Sequence, residues 1–260
     1  MSTPFVRPLG SADWRPTKGN DHSCYTLSDK VLVDCNAGCL MHILSLDKDP
    51  TEFDHIFFTH MHSDHCMGLA SILHHWRVVN GDLGGLTIVG PAATVRDQVM
   101  LSLQYVFHDS KDMMKDIKRL PNIVALSGEG TYETDAFTVA HTDSDHAVPG
   151  LCYVFTDNET GKTIGFSGDT MYLPKFADFF RDVDLLVYEC SYGGGPLDDN
   201  VFNNRHSSSR EAAQVVNECG AKALMLTHTY EPKREGAIIE AGKRTDVPVM
   251  WALPFKKVEY

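Results

Sequence analysis

The sequence predicts an α/β fold, and three observations predict it. Short β-branched or apolar runs alternate with helical patterns along the whole chain. No linker-like stretch divides it, so 1–260 reads as one domain. Chemically capable polar residues sit just past several of the apolar runs, where the strands of a layered sheet would gather them at one rim.

The expected strands, in order, are Val31–Asp34, Ile56–Thr59, Leu86–Val89, Phe137–Ala140, Cys152–Thr156, Ile164–Ser167, Leu185–Glu189 and Ala223–Thr227. Helices are expected to start near Met67, Ala92 and Ser209, and 99–120 reads as one or two more before Pro121. The signals around Ser209 are the fullest. Ser208 can cap the helix, with Glu211 completing a capping box. Ala212, Val215, Val216 and Cys219 then share one face, and Gly220 stops it. The polar residues after the strands are His60, Asp169, Glu189 and His228.

Composition narrows the function. With 43% hydrophobic and 22% charged residues the chain is globular rather than disordered or fibrous. A net charge of −12 argues against gripping a long nucleic acid through its phosphates, yet it leaves room for a small anionic ligand. The start carries no signal-peptide pattern, and no apolar run approaches the ~18 residues of a membrane span. Seven scattered cysteines without CxxC fit reduced thiols in a cytoplasmic protein, most of them as small core residues.

The chain has 13 histidines, and they are clustered. His60-Met61-His62-Ser63-Asp64-His65 places four ligand-type side chains in six residues, directly after a strand. Imidazole nitrogen and carboxylate oxygen suit zinc and similar divalent ions, and such a turn can feed two adjacent metals.

This HxHxDH motif resembles the signature of the metallo-β-lactamase superfamily. The likeness spans nearly the whole chain. It includes Leu9-Gly10-Ser11, Leu32-Val33-Asp34-Cys35, Asp145-His146-Ala147-Val148-Pro149, Gly165-Phe166-Ser167-Gly168-Asp169-Thr170 and Leu226-Thr227-His228. Within the superfamily the sequence is most similar to ribonuclease Z and related phosphodiesterases. The segments responsible are His146 before Val-Pro, Leu185–Glu189, and His206-Ser207-Ser208 leading into Arg210-Glu211-Ala212-Ala213.

The resemblance implies a four-layer αββα sandwich with two divalent metals at one sheet edge, zinc by default and manganese or iron as alternatives. Carried over, His60, His62 and His146 would hold the first ion, and Asp64, His65 and His228 the second. Asp169 would bridge both. A water shared by two such ions becomes hydroxide near neutral pH. His141, five residues before His146, is the competing ligand, and the His-Ala-Val-Pro context favours His146. His206 resembles the family's histidine beside the leaving group, and Glu189 its acidic support. The motifs depart here, with His-Ser-Ser in one and Tyr188 and Cys190 flanking the glutamate in the other. Asp64 can shift protons as well as bind metal. His22 belongs to an early loop that can face the metals, and Tyr192 or Phe202 can touch substrate from the segment around Gly193–Pro196.

Proteins of this kind that process transfer RNA carry an RNA-gripping arm between the ligands matching His146 and Asp169. Here that step is 169 − 146 = 23 residues, a hairpin's worth. The expected substrate is therefore a small or cyclic anionic phosphodiester rather than transfer RNA. A lactonase, thioesterase or other carbon-ester hydrolase on the same scaffold stays open, as does a metal-binding regulator without turnover. A β-lactamase is disfavoured because those enzymes lack the bridging aspartate. No membrane partner is expected. A homodimer can use the apolar residues of 99–120.

Overall fold

The computed structural model describes residues 3–108, 117–197 and 205–260. Two seven-stranded mixed sheets lie face to face, with helices on their outer faces. The first sheet has the order β14-β1-β2-β3-β4-β5-β6, from Val258–Glu259, Phe5–Gly10, Cys24–Leu27, Val31–Val33, His55–Phe57, Thr87–Pro91 and Asn122–Leu126. The second has the order β13-β12-β11-β10-β9-β8-β7. Its strands are Val249–Trp251, Leu224–Thr227, Leu185–Glu189, Thr163–Phe166, Leu151–Asp157, Phe137–Asp143 and Gly130–Glu133. The helices are α1 (Cys39–Leu44), α2 (Ser63–Cys66), α3 (Leu69–Asn80), α4 (Val95–Phe107), α5 (Phe176–Phe179), α6 (Ser209–Cys219) and α7 (Arg234–Gly242).

Strand pleating explains the layers. Val31, Val33, Phe57 and Val89 point to the second sheet and meet Phe155, Ile164, Phe166 and Val187 there. Their neighbours Leu32, Ile56 and Ile88 point the other way, onto Leu69, Leu73, Val99 and Leu103 of α3 and α4. Leu186, Tyr188, Leu224 and Leu226 do the same toward Ala212, Val215 and Val216 of α6. Strands buried on both faces read as continuous apolar runs, which is why these were visible in the sequence. The expected αββα layering is what the chain adopts.

Every expected strand is present, Leu185–Glu189 at its expected bounds and the others with ends moved by at most three residues. The sequence reading passed over β1, β2, β6, β7, β13 and β14. Gly130–Glu133 is largely exposed and Val258–Glu259 is an edge strand of two residues, so neither shows an apolar run. The helix expected to start near Met67 is α3, which begins at Leu69; the short α2 precedes it within the metal motif, and Gly68 lies between the two. A Cβ there would lie 2.0 Å from the carbonyl oxygen of Asn36, so only glycine lets the chain pass this close. The helix expected from Ala92 begins at Val95. That at Ser209 is as expected. Ser208 Oγ accepts from the Arg210 amide at 3.1 Å, Glu211 Oε2 accepts from the Ser208 amide at 2.9 Å, and Gly220 closes the helix at φ 74°.

Of the 99–120 segment, Val99, Leu103 and Phe107 cover the first sheet while Met100, Leu101 and Tyr105 are exposed. All seven cysteines are free and buried. Among the described residues no helix is long and apolar enough to cross a membrane.

Candidate metal centre

Strands β3 to β6 run parallel, as do β10 to β13. Their C-terminal ends therefore open on one edge of the sandwich. Asp34 follows β3, His60 lies just past β4, Asp169 just past β10, Glu189 ends β11 and His228 follows β12. The two sheets are stitched together at this edge, where the Leu151 amide donates to the Thr59 carbonyl oxygen at 2.8 Å. Gly168 turns the chain at φ +57° just before Asp169.

The ring nitrogens converge closely. His62 Nδ1 lies 3.1 Å from His60 Nε2 and 3.0 Å from His146 Nε2. His65 Nε2 lies 3.1 Å from His228 Nε2, which is 3.3 Å from Asp64 Oδ2. Asp169 Oδ2 sits between the two groups, 3.6 Å from His60, 3.9 Å from His146, 3.6 Å from His65 and 3.4 Å from His228. His60–His62–His146–Asp169 and Asp64–His65–His228 are thus two compact donor sets of the kind that hold metal ions.

The distances fit that use. Two nitrogens at the ~2.0–2.1 Å bond length of tetrahedral zinc lie about 3.3 Å apart, close to the separations found here. Each remote ring nitrogen in four of these histidines is also held. His60 Nδ1 meets Thr59 Oγ1 at 3.1 Å and His65 Nδ1 meets Asp34 Oδ2 at 2.8 Å. His146 Nδ1 meets the Arg205 carbonyl oxygen at 3.0 Å and His228 Nδ1 meets Ser191 Oγ at 2.8 Å. Such partners fix the tautomer and aim the other nitrogen, as around metal-ligating histidines.

Electrostatics follow from this crowding. Burial alone would raise the Asp169 carboxyl, but the imidazoles of His228, His65 and His60 reverse it and hold it well below the usual carboxylate range. Burial and the neighbouring His65 ring push His60 well down, so it stays neutral with a lone pair to offer.

His206 stands beside the donors. Its Nδ1 lies 2.9 Å from Glu189 Oε1 and 3.1 Å from Ser191 Oγ, and its ring stacks on His228 with centroids 5.6 Å apart. His206, Asp169 and His228 also satisfy the spacing of a donor set. The Glu189 bond occupies Nδ1, however, which places His206 beside the ligands rather than among them. Burial alone would lower its pKa, and the Glu189 carboxylate overrides that and raises it to about 9.

The seven proposed metal ligands, with His206 and Glu189, therefore gather at one edge, nine residues in all. His141 does not join them. It lies on β8 against Gly130 of β7, with Nδ1 3.1 Å from the Gly128 carbonyl oxygen. His22 is buried but belongs to neither donor set, and Phe202 lies outside the described residues.

Two residues that hold the donors, Asp34 and Ser191, had no role assigned from the sequence. Asp34 accepts from the Thr59 amide at 2.8 Å while holding His65, and Ser191 touches Glu189, His206 and His228 at once. The signal for Asp34 was an acid closing an apolar strand. Asp34→Asn should weaken metal affinity by roughly 10–100-fold while the fold is kept. Competition with a chelating dye measures it, and unchanged affinity would remove Asp34 from the support of His65.

A cleft of ≈510 Å³ opens over the centre. Asp64, His62, His146, Asp169, His206 and His228 line it, with Trp14, Arg15, Tyr192 and Lys233 among its walls.

Known proteins resemble the chain at this point. The profile of the Beta-lactamase superfamily domain matches residues 29–229. Ribonuclease Z of Methanococcus maripaludis (strain C5 / ATCC BAA-1333) is 24% identical over 271 residues, covering 85% of this chain and 84% of that protein. Among solved structures, the metallo-β-lactamase fold protein YhfI from Bacillus subtilis superposes with TM-score 0.82 at 22% identity, covering 100% of both chains. The short form of human tRNase Z superposes with TM-score 0.73 at 19% identity, covering 98% of each.

Proposed function

The chain belongs to the metallo-β-lactamase superfamily, and from that premise we propose that it is a two-metal phosphodiesterase for small or cyclic phosphodiesters. His60, His62 and His146 would hold one ion, Asp64, His65 and His228 the other, and Asp169 would be shared. When bound, the two ions lower the pKa of a water between them and neutralise charge on the phosphoryl oxygens; zinc suits the donors, with manganese or iron as alternatives.

The observation that carries the phosphodiester reading is the His206–Glu189 pair at 2.9 Å, set in the wall of the same cleft. A phosphodiester needs a proton on its departing oxygen. Glu189 keeps His206 protonated at neutral pH and engages Nδ1, so Nε2 carries the proton to be given. Asp64 also lines the cleft, where its carboxylate can take up a proton from the attacking water.

Size and charge support a small substrate. The step from His146 to Asp169 is the β9–β10 hairpin, Leu151–Asp157 and Thr163–Phe166, with no arm between. The ≈510 Å³ cleft falls in the range of small-molecule sites, about 300–1,000 Å³. The ribonuclease Z relatives support the bond type.

A panel tests the proposal. Metal-loaded protein is offered a chromogenic phosphodiester, a cyclic nucleotide, a homoserine lactone and a thioester. Turnover of the phosphodiesters is expected. Turnover confined to the lactone or thioester overturns the reading, and turnover of none leaves a metal-binding protein.

A further inference from the structure

The cleft has a second wall, built independently of the metal donors. The loop after β1 folds back on itself, with the Ala12 amide donating to the Asp21 carbonyl oxygen at 3.0 Å and the Ser11 amide to Asn20 Oδ1 at 2.9 Å. Asn20 Nδ2 ties it to Glu231, beyond β12, at 3.3 Å. Trp14 and Arg15 line the cleft from this loop.

Arg15 is fixed from three sides. Asp13, only 1% exposed, receives its Nη2 at 2.7 Å and its Nε at 3.4 Å. The guanidinium lies 4.8 Å from the centroid of the Trp14 ring and 4.3 Å from that of Tyr230. A cation packed between two aromatic faces holds those rings in place. Yet Trp14 is 70% exposed, while the other two tryptophans, Trp76 and Trp251, are 5% and 6% exposed. Exposed Lys233 lines the same cleft.

An indole left in water forgoes a large burial gain, and one already stacked has little freedom left to lose when a ligand arrives. Its natural complement is a flat aromatic ring. Arg15 retains guanidinium donors beyond those given to Asp13, and with Lys233 it supplies positive charge for an anion.

We propose that Trp14, Arg15 and Lys233 form a nucleotide subsite, the base stacking on Trp14 and an attached phosphate meeting Arg15 and Lys233. The inference rests on the phosphodiesterase reading for its biological meaning: one arm of the substrate diester would be a nucleoside.

Binding tests it without turnover. Adenosine 5′-monophosphate and ribose 5-phosphate, which share the phosphate but not the base, are titrated into metal-loaded protein by calorimetry and tryptophan fluorescence. The nucleotide should bind more tightly and quench fluorescence. Trp14→Ala should weaken nucleotide binding roughly tenfold to a hundredfold, leave ribose 5-phosphate unchanged and abolish the quenching. Trp14→Phe should restore most of the affinity. Lys233→Ala should weaken both ligands, and if it weakens neither, the anionic half of the proposal is overturned. Equal affinities for the two ligands, or equal losses in Trp14→Ala, overturn the stacking half. Nucleotide binding in a protein that hydrolyses no diester would sink the activity and spare the subsite. Diester turnover without base preference would do the reverse.

Discussion

Asp169→Ala is expected to release both metal ions and to lower turnover by at least roughly 10²–10³-fold, the scale of one lost charge-stabilising group at a reaction centre. The reason is position. Its Oδ2 stands 3.4–3.9 Å from a ring nitrogen of His60, His65, His146 and His228, two from each donor set. Removing it takes a shared anionic donor from both sets, leaving three imidazoles in one and Asp64 as the sole carboxylate of the other. The native topology should persist at reduced stability, because Gly168 and Thr170 keep the turn while the ions no longer add to it. Metal analysis and turnover measure the effect together. Two ions retained at full occupancy would contradict the shared role.

His206→Ala should behave differently. Metal content is expected to stay at the wild-type value while phosphodiester turnover falls by roughly 10²-fold or more, as when a general acid is lost. A substrate whose leaving group needs no proton, such as a nitrophenyl diester, should lose much less than an alkyl one. The pH profile gives the same residue a second signature. The acid is active while protonated, so activity should decline as pH rises through about 9, the value to which Glu189 raises His206. Glu189→Gln removes that carboxylate and leaves Asp169 as the remaining acid against burial, so the alkaline limb should move to lower pH. An unmoved limb would separate Glu189 from the proton.

Much of this was legible because the chemistry is local in sequence. Four donors lie within His60–His65, and Asp169, Glu189 and His228 each close an apolar run that could only be a buried strand. His146 and His141 could not be separated by spacing. The pairing of His141 with Gly130 decides it, and that pairing depends on β7, an exposed strand with no apolar pattern to betray it. Asp34 and Ser191 stayed hidden for another reason. An Asp or Ser after a strand is ordinarily a turn residue, and only the approach of His65 and His228 from distant segments gives these two their work. The wall of Trp14 and Arg15 was equally invisible, since its meaning comes from Asp13 and Tyr230 meeting across 217 residues of chain, 230 − 13.

The division of donors between the sheets has a consequence for folding. His60 and His62 follow strands of the first sheet and His146 and Asp169 belong to the second; likewise Asp64 and His65 face His228 across the same seam. Each ion would therefore act as a rivet through both halves of the sandwich. Because the unfolded chain cannot present these donors together, ion uptake and closure of the seam become one linked equilibrium, and stability would rise with the logarithm of free metal concentration. Metal supply would then set how much of this protein persists folded, as well as how much of it is active.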